Sequence, residues 1–166
     1  YVEQAYDEAK FGAFSSRPFI ETQFQSVLDP TMAPPGKHTM SCFVQYAPTE
    51  LKRTTWDDFK PEAADIILDT IEAYAPNVRK VVKHWQIMSP VDMERILGLT
   101  GGNIFQGDIT PDQIFSFRPM PGWAQYRMPV EGLYLCGSAT HPGGGVLGAP
   151  GYNAAHVILD DLRKAR

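Results

Sequence analysis

Three features of this 166-residue chain predict an α+β fold. Two early segments, 19–28 and 38–46, are dense in β-branched and aromatic residues, as strands are. Two other stretches, one from residue 62 and one at the C-terminal end, repeat apolar residues at helical three- and four-residue steps. A short apolar run at 130–136 then feeds a glycine-rich loop and the last helix. Strands that follow one another closely, with helices apart from them, give an antiparallel sheet with helices, closed by a strand–glycine loop–helix unit.

Along the chain, residues 2–10 are expected to form a short helix. Between Phe19 and Leu28, the set Ile20, Thr22, Phe24 and Ser26 is more apolar than its alternate, which predicts a strand. Three prolines and Gly36 make 29–36 a loop, and His38 to Tyr46 reads as a second strand, antiparallel to the first. Residues 52–60 read as a charged linker. Pro61 suits a first helical position, and Ala63, Ile66, Ile67, Ile71 and Tyr74 define an amphipathic helix ending at Ala75-Pro76. A strand is expected near Lys83–Met88. Ser89 as N-cap, Pro90 at the first position and Asp92 in the first turn then open a helix that Gly98 stops. Loops cover 101–123, Val130 to Cys136 is the final strand, and Ala154, Ala155, Ile158, Leu159 and Leu162 face the last helix inward.

The glycine loop is the most informative stretch. Six glycines fall within the fifteen residues 137–151, between a strand and a helix N-terminus. Such loops bring backbone N–H groups against an anionic or electron-rich ligand, since a Cβ would block the approach. Gly143 to Gly148 matches GxGxxG literally, yet Ser138 to Pro142 separate it from the strand end and no second strand with an acid follows. The match to a dinucleotide fingerprint is therefore fortuitous. A P-loop is excluded, because no Lys-Ser or Lys-Thr follows the glycines. His141 has two readings, a hydrogen-bonding loop residue or a group that works beside a ligand.

Composition narrows the function. A net charge of −4 with no basic stripe argues against nucleic acid. Apolar runs are far short of a membrane span, and no signal peptide precedes the first element, so a cytoplasmic location is expected. Cys42 and Cys136 lie in apolar runs and read as buried small hydrophobes. His38, His84, His141 and His156 lack metal-ligand spacing, so no metal site is expected. A self-contained hydrolase or metal enzyme has no motif to support it.

Gly132 to Gly145, followed by Gly148-Ala149-Pro150-Gly151, resembles the C-terminal flavin motif of phytoene-desaturase-like FAD oxidoreductases. Within that superfamily the sequence most resembles the pyridine nucleotide-disulfide oxidoreductase domain-containing protein 2 group. Supporting pieces are residues 29–38, Ser89 to Asp92, Gly101 to Asp108, and Arg118-Pro119. The resemblance implies a two-domain flavoprotein, with 1–128 a portion of the substrate domain and 129–166 a C-terminal segment completing the FAD-binding domain. It places Gly137 and Ser138 along the ribityl–pyrophosphate portion of FAD. Gly145, Val146 and Leu147 would offer backbone N–H groups to the flavin ring, Gly144 and Gly148 join the cofactor-binding set, and His141 is the first catalytic candidate. Related flavoproteins often carry an acid at the place of Ser138; a hydroxyl still bonds a ribityl oxygen, without the charge.

The resemblance also implies chemistry by hydride or two-electron transfer on an apolar small-molecule substrate. The family's N-terminal dinucleotide-binding unit has no counterpart here, and the chain starts at Tyr1. The expectation is a C-terminal fragment whose missing partner is that FAD-binding domain, inactive and poor at binding FAD alone. Homo-oligomerisation is the other partnership this reading allows. The alternative is a non-catalytic assembly module without a cofactor of its own, with Phe105, Phe115, Phe117, Trp123 and Tyr126 lining a docking surface or an apolar pocket.

Overall fold

A computed structural model describes residues 1–145 and 147–165. The chain forms two compact units, residues 1–93 and the remainder from Glu94.

The first unit opens with α1 (Val2–Lys10), which buries Ala5. Glu8 then accepts hydrogen bonds from the backbone N–H and the hydroxyl of Ser16, which fixes the chain's exit from α1. Strand β1 (Phe19–Gln23) pairs antiparallel with β2 (Ser41–Gln45), in the register Phe19 to Gln45 through Gln23 to Ser41. Both predicted strands are therefore present and antiparallel, but shorter than expected. The first gives way to a single helical turn, α2 (Gln25–Leu28). Ser26 is buried there, and its hydroxyl accepts from the backbone N–H of Thr39, closing the loop that ends at β2.

Helix α3 (Trp56–Glu72) starts five residues before Pro61, not at it. The cause is a cap invisible to the proline rule: the Thr55 hydroxyl accepts from the N–H of Asp58 and donates to its carboxylate at 2.7 Å. Pro61 sits in the second turn and removes one donor from the helix ladder. Starting early brings Trp56 and Phe59 onto the buried face. With Phe14 they form a triangle of edge-to-face rings, centroids 5.8–5.9 Å apart. Ala63 completes this core, and Val44, Leu51, Ile66, Ile87 and Val91 pack around it.

After α3 comes one turn, α4 (Val78–Val81), whose Arg79 bonds the carboxylates of Asp65 and Asp69. The expected strand at 83–88 is absent; the segment runs irregularly, because the only sheet among the described residues is β1–β2 and offers it no ladder. Ile87 instead packs on the core. Helix α5 (Pro90–Leu97) starts as predicted. Ser89 is buried, its hydroxyl accepts from the N–H of Asp92, and its own N–H and O–H donate to that carboxylate at 2.8 and 2.7 Å. Lys60 of α3 lies 2.8 Å from either oxygen of Asp92, and this ammonium holds the carboxyl down at about 2.

The second unit is mostly turns. Short 3-10 turns occur at Thr100–Gly102, Pro111–Gln113 and Phe115–Phe117, and the chain ends in α6 (Ala149–Lys164). The predicted strand at 130–136 is not formed. One bridge, Arg127 to Tyr134, with bonds from Met128 N–H to Leu133 O and from Leu135 N–H to Tyr126 O, makes a narrow hairpin. A segment becomes a strand only where a neighbour completes its ladder, and here that neighbour is 126–128 alone. The α+β class stands, as helices with a small two-stranded antiparallel sheet. Among the described residues, no helix is long and apolar enough to cross a membrane.

Candidate functional site

The glycine loop is held from three directions. Behind it, Arg118 is 3% exposed and spends its guanidinium on main-chain oxygens. Nε donates to Gln113 O at 2.5 Å, Nη1 to Phe105 O and Ser138 O at 3.0 and 2.6 Å, and Nη2 to Gly107 O and Asp108 O at 3.2 and 2.9 Å. Within the loop, Thr140 is buried and turns back on Gly137, whose carbonyl accepts both its N–H at 3.0 Å and its hydroxyl at 2.7 Å. On the hairpin side, buried Tyr126 donates its hydroxyl to His141 O at 2.9 Å and accepts from the Asn153 side chain of α6 at 2.8 Å.

Helix α6 is fastened by charge as well. Arg127 makes a two-pronged contact with Asp161 at 2.7 and 2.8 Å, and the Tyr134 hydroxyl donates to the same carboxylate at 2.9 Å. The Arg127 guanidinium keeps the Asp161 carboxyl at about 2, and the Tyr134 phenol is shifted upward by donating to it. These contacts set which face of α6 turns inward. Pro150 and Ala154 are buried, and Asn153, Val157, Ile158 and Asp161 are half-buried. Ala155, Leu159 and Leu162, expected on the inner face, are exposed.

The candidate residues separate into two groups by what surrounds them. Gly137 and Gly144 are small because the protein's own atoms fill the adjoining space. A Cβ at Gly137 would meet the Gln106 side chain at 3.3 Å, and one at Gly144 would meet the Ser138 Cβ at 3.0 Å. Ser138 is half-buried, with its carbonyl taken by Arg118. Gly145 and Gly148 are different. Gly148 is the N-cap of α6 with φ +64°, and a Cβ there would meet nothing within 4 Å. Gly145 has φ +137°, with only the Leu147 side chain close by, and Leu147 itself is 70% exposed. Val146 lies outside the described residues.

The start of α6 carries no side-chain cap and no acid in its first turn, so the N–H groups of Ala149 and Gly151 have no capping side chain among the described residues. His141 is half-buried, and its buried Nδ1 has no hydrogen-bond partner among the described residues. An orphaned buried nitrogen is unfavourable unless a further group reaches it. The helix start without a side-chain cap, the free space at Gly148 and the orphaned Nδ1 fit a bound flavin. Gly137 and Gly144 serve the loop's own packing.

Other expectations resolve simply. Tyr126 is a core residue rather than a lining one, whereas Phe115 and Phe117 are exposed. Cys136 is exposed, contrary to the buried reading, because the strand that was to bury it does not form; Cys42 is half-buried, and burial pushes its thiol upward. No group of His, Cys, Asp and Glu able to hold a metal occurs among the described residues. Sequence reasoning misses Asp161 as an anchor and Arg118 as a clamp. The one signal for Arg118 is its place in the apolar run Phe115 to Pro119.

No family model matches the chain, and no solved structure does. Among curated proteins it is 51% identical over 164 residues to the rat pyridine nucleotide-disulfide oxidoreductase domain-containing protein 2, covering 98% of this chain and 28% of that protein. It is 28% identical to a limonene dehydrogenase polypeptide of Castellaniella defragrans, over 84% of this chain and 26% of the relative. A lycopene-forming phytoene desaturase of Pseudescherichia vulneris is 29% identical over 82% of this chain and 28% of its own length. The chain thus spans little more than a quarter of the relatives it matches. Over that stretch it belongs with the pyridine nucleotide-disulfide oxidoreductase domain-containing protein 2 group, in a wider set of oxidoreductases that includes phytoene desaturases.

Proposed function

We propose that this chain works within a longer FAD-dependent, phytoene dehydrogenase-like oxidoreductase, in which residues 129–166 complete the FAD-binding domain and 1–128 belong to the substrate domain. The observation that carries this reading is the uncapped start of α6, with Gly145 and Gly148 open in front of it. Bound there, FAD supplies hydride or two-electron transfer. This chain's residues would orient it: the N–H groups contributed by Gly145, Val146, Leu147 and Gly148 would hold the ring, where the positive end of α6 favours negative charge by about 0.3–1 kcal/mol. Gly137, Ser138 and Gly144 shape the loop along the ribityl–pyrophosphate portion, and Ser138 offers a hydroxyl to a ribityl oxygen. His141 directs Nδ1 to the cofactor or to a proton exchanged near it. An extended apolar substrate is in keeping with the limonene and phytoene enzymes among the relatives.

The test is flavin titration of the longer protein and of this chain alone, followed by absorbance and fluorescence. Stoichiometric binding by the longer protein, with weak or no binding by this chain, is expected. Micromolar or tighter stoichiometric binding by this chain alone contradicts the fragment reading. His141→Ala in the longer protein is expected to slow flavin reduction or reoxidation; unchanged rates remove His141 from the chemistry.

A second reading, a non-catalytic assembly module, draws on one specific observation. In the second unit the apolar side chains of Val130, Leu133, Leu147, Leu159 and Leu162 are each about half exposed or more, and a partner would cover such side chains where they adjoin. Light scattering distinguishes the outcomes: a clean dimer of this chain favours a docking surface, and a well-behaved monomer argues against one.

A further inference from the structure

Arg118 is buried, yet each of its hydrogen-bond acceptors is a neutral main-chain carbonyl. The ion pairs among the described residues do not include it. Such an arrangement needs arginine in particular, since only a planar fork with five N–H donors reaches five separately placed oxygens. The carbonyls come from distinct stretches, 105–108, Gln113 and Ser138. This one side chain hydrogen-bonds to all three stretches, so it ties the glycine loop at Ser138 to 105–108 and Gln113. The loop also crosses close over the charge: a Cβ at Gly143 would lie 3.8 Å from Nη1.

We infer that Arg118 is the positioning residue of the glycine loop, holding the Ser138 carbonyl so that the turn from Gly137 to Gly143 keeps its course, and placing a buried positive charge beside Gly143. Among the described residues, the hydrogen-bond partners of this charge are carbonyl dipoles alone. In a poorly screened interior it favours added negative charge on a group resting against the loop. This second consequence rests on the flavin reading above, whereas the positioning itself does not.

The experiment compares Arg118→Gln, Arg118→Lys and Gly107→Ala in the longer protein. Hydrogen exchange of the flavin-free protein reads the positioning. Both Arg118 variants should speed exchange in peptides spanning 137–143 tenfold or more, while peptides of α3 stay unchanged. Wild-type exchange at 137–143 in both overturns the inference. If Arg118→Gln fails to fold, Gly107→Ala decides: its Cβ would lie 3.3 Å from Nη2, displacing the fork without removing it. A several-fold rise at 137–143 supports the inference, and wild-type exchange overturns it. The flavin midpoint potential reads the charge: Arg118→Gln lowers it and Arg118→Lys largely restores it, without restoring protection. Equal potentials in all variants overturn the electrostatic part. A wild-type protein that binds no flavin defeats the flavin reading, and the exchange result still decides the positioning.

Discussion

The Tyr126 hydroxyl donates to the His141 carbonyl oxygen at 2.9 Å, joining the hairpin to the one loop residue with an orphaned ring nitrogen. Because Tyr126 also accepts from Asn153, one phenol ties hairpin, loop and α6 together. Tyr126→Phe leaves the His141 carbonyl and the Asn153 amide short of a partner. A loss of about 1–3 kcal/mol is expected for such deletions. Urea unfolding followed by tyrosine fluorescence or circular dichroism measures it, and a wild-type midpoint refutes the tie.

Acid should loosen α6 in a defined window. The Asp161 carboxyl falls from 3.8 to about 2 in the folded protein, chiefly through its bond from Arg127. A depressed folded value means the contact stabilises fully above the ordinary carboxylate range and is lost as pH falls toward about 2. Asp161→Asn is expected to lower stability at neutral pH and to flatten the acid dependence below about pH 4. Melting temperatures of both proteins across that range supply the check.

Asp92 gives a matching prediction in the first unit. Its carboxylate accepts from the N–H and hydroxyl of the capping Ser89 and takes Lys60 of α3, and this carboxyl also sits at about 2, with the Lys60 bond the largest cause. Asp92→Ala removes the carboxylate's bonds from Ser89 and leaves the Lys60 ammonium only its longer contact with Asp57 at 3.7 Å, an expected loss of about 1–2 kcal/mol in urea unfolding near neutral pH. The loss should shrink as pH falls toward about 2, where the wild-type carboxylate is itself protonated.

Two glycine substitutions should behave differently. Gly144→Ala sets a Cβ against Ser138, so it should destabilise the loop, and adding Ser138→Gly should recover much of the loss. Gly148→Ala meets no atom, but it forces an L residue to φ +64°, an expected loss of about 1 kcal/mol that no neighbouring substitution repairs. Thermal melts of the two singles and the double separate these cases.

Local signals in the sequence are reliable where the physics is local. The Ser89–Asp92 cap and the glycine stop at Gly98 are each decided within a turn of helix. Pro61 misleads because a stronger local device, the Thr55–Asp58 box, begins six residues upstream. The runs at 83–88 and 130–136 have strand composition, but a strand is a property of two segments and their neighbours are lacking among the described residues. The inner face of α6 escapes the periodicity for a similar reason. Asn153 and Asp161 turn inward toward Tyr126 and Arg127, partners 27 and 34 residues away. For the candidate site, the glycine density marks the loop that Arg118, Thr140 and Tyr126 hold. It does not distinguish glycines that make room for Gln106 and Ser138 from those that leave space open.

A crystal structure of the longer protein with FAD bound decides whether the open start of α6 is the flavin's seat. The isoalloxazine edge should lie within hydrogen-bond reach, about 3 Å, of the main-chain N–H groups at 145–148, with His141 beside it. A ring lodged elsewhere, with the start of α6 covered by protein side chains, refutes the assignment.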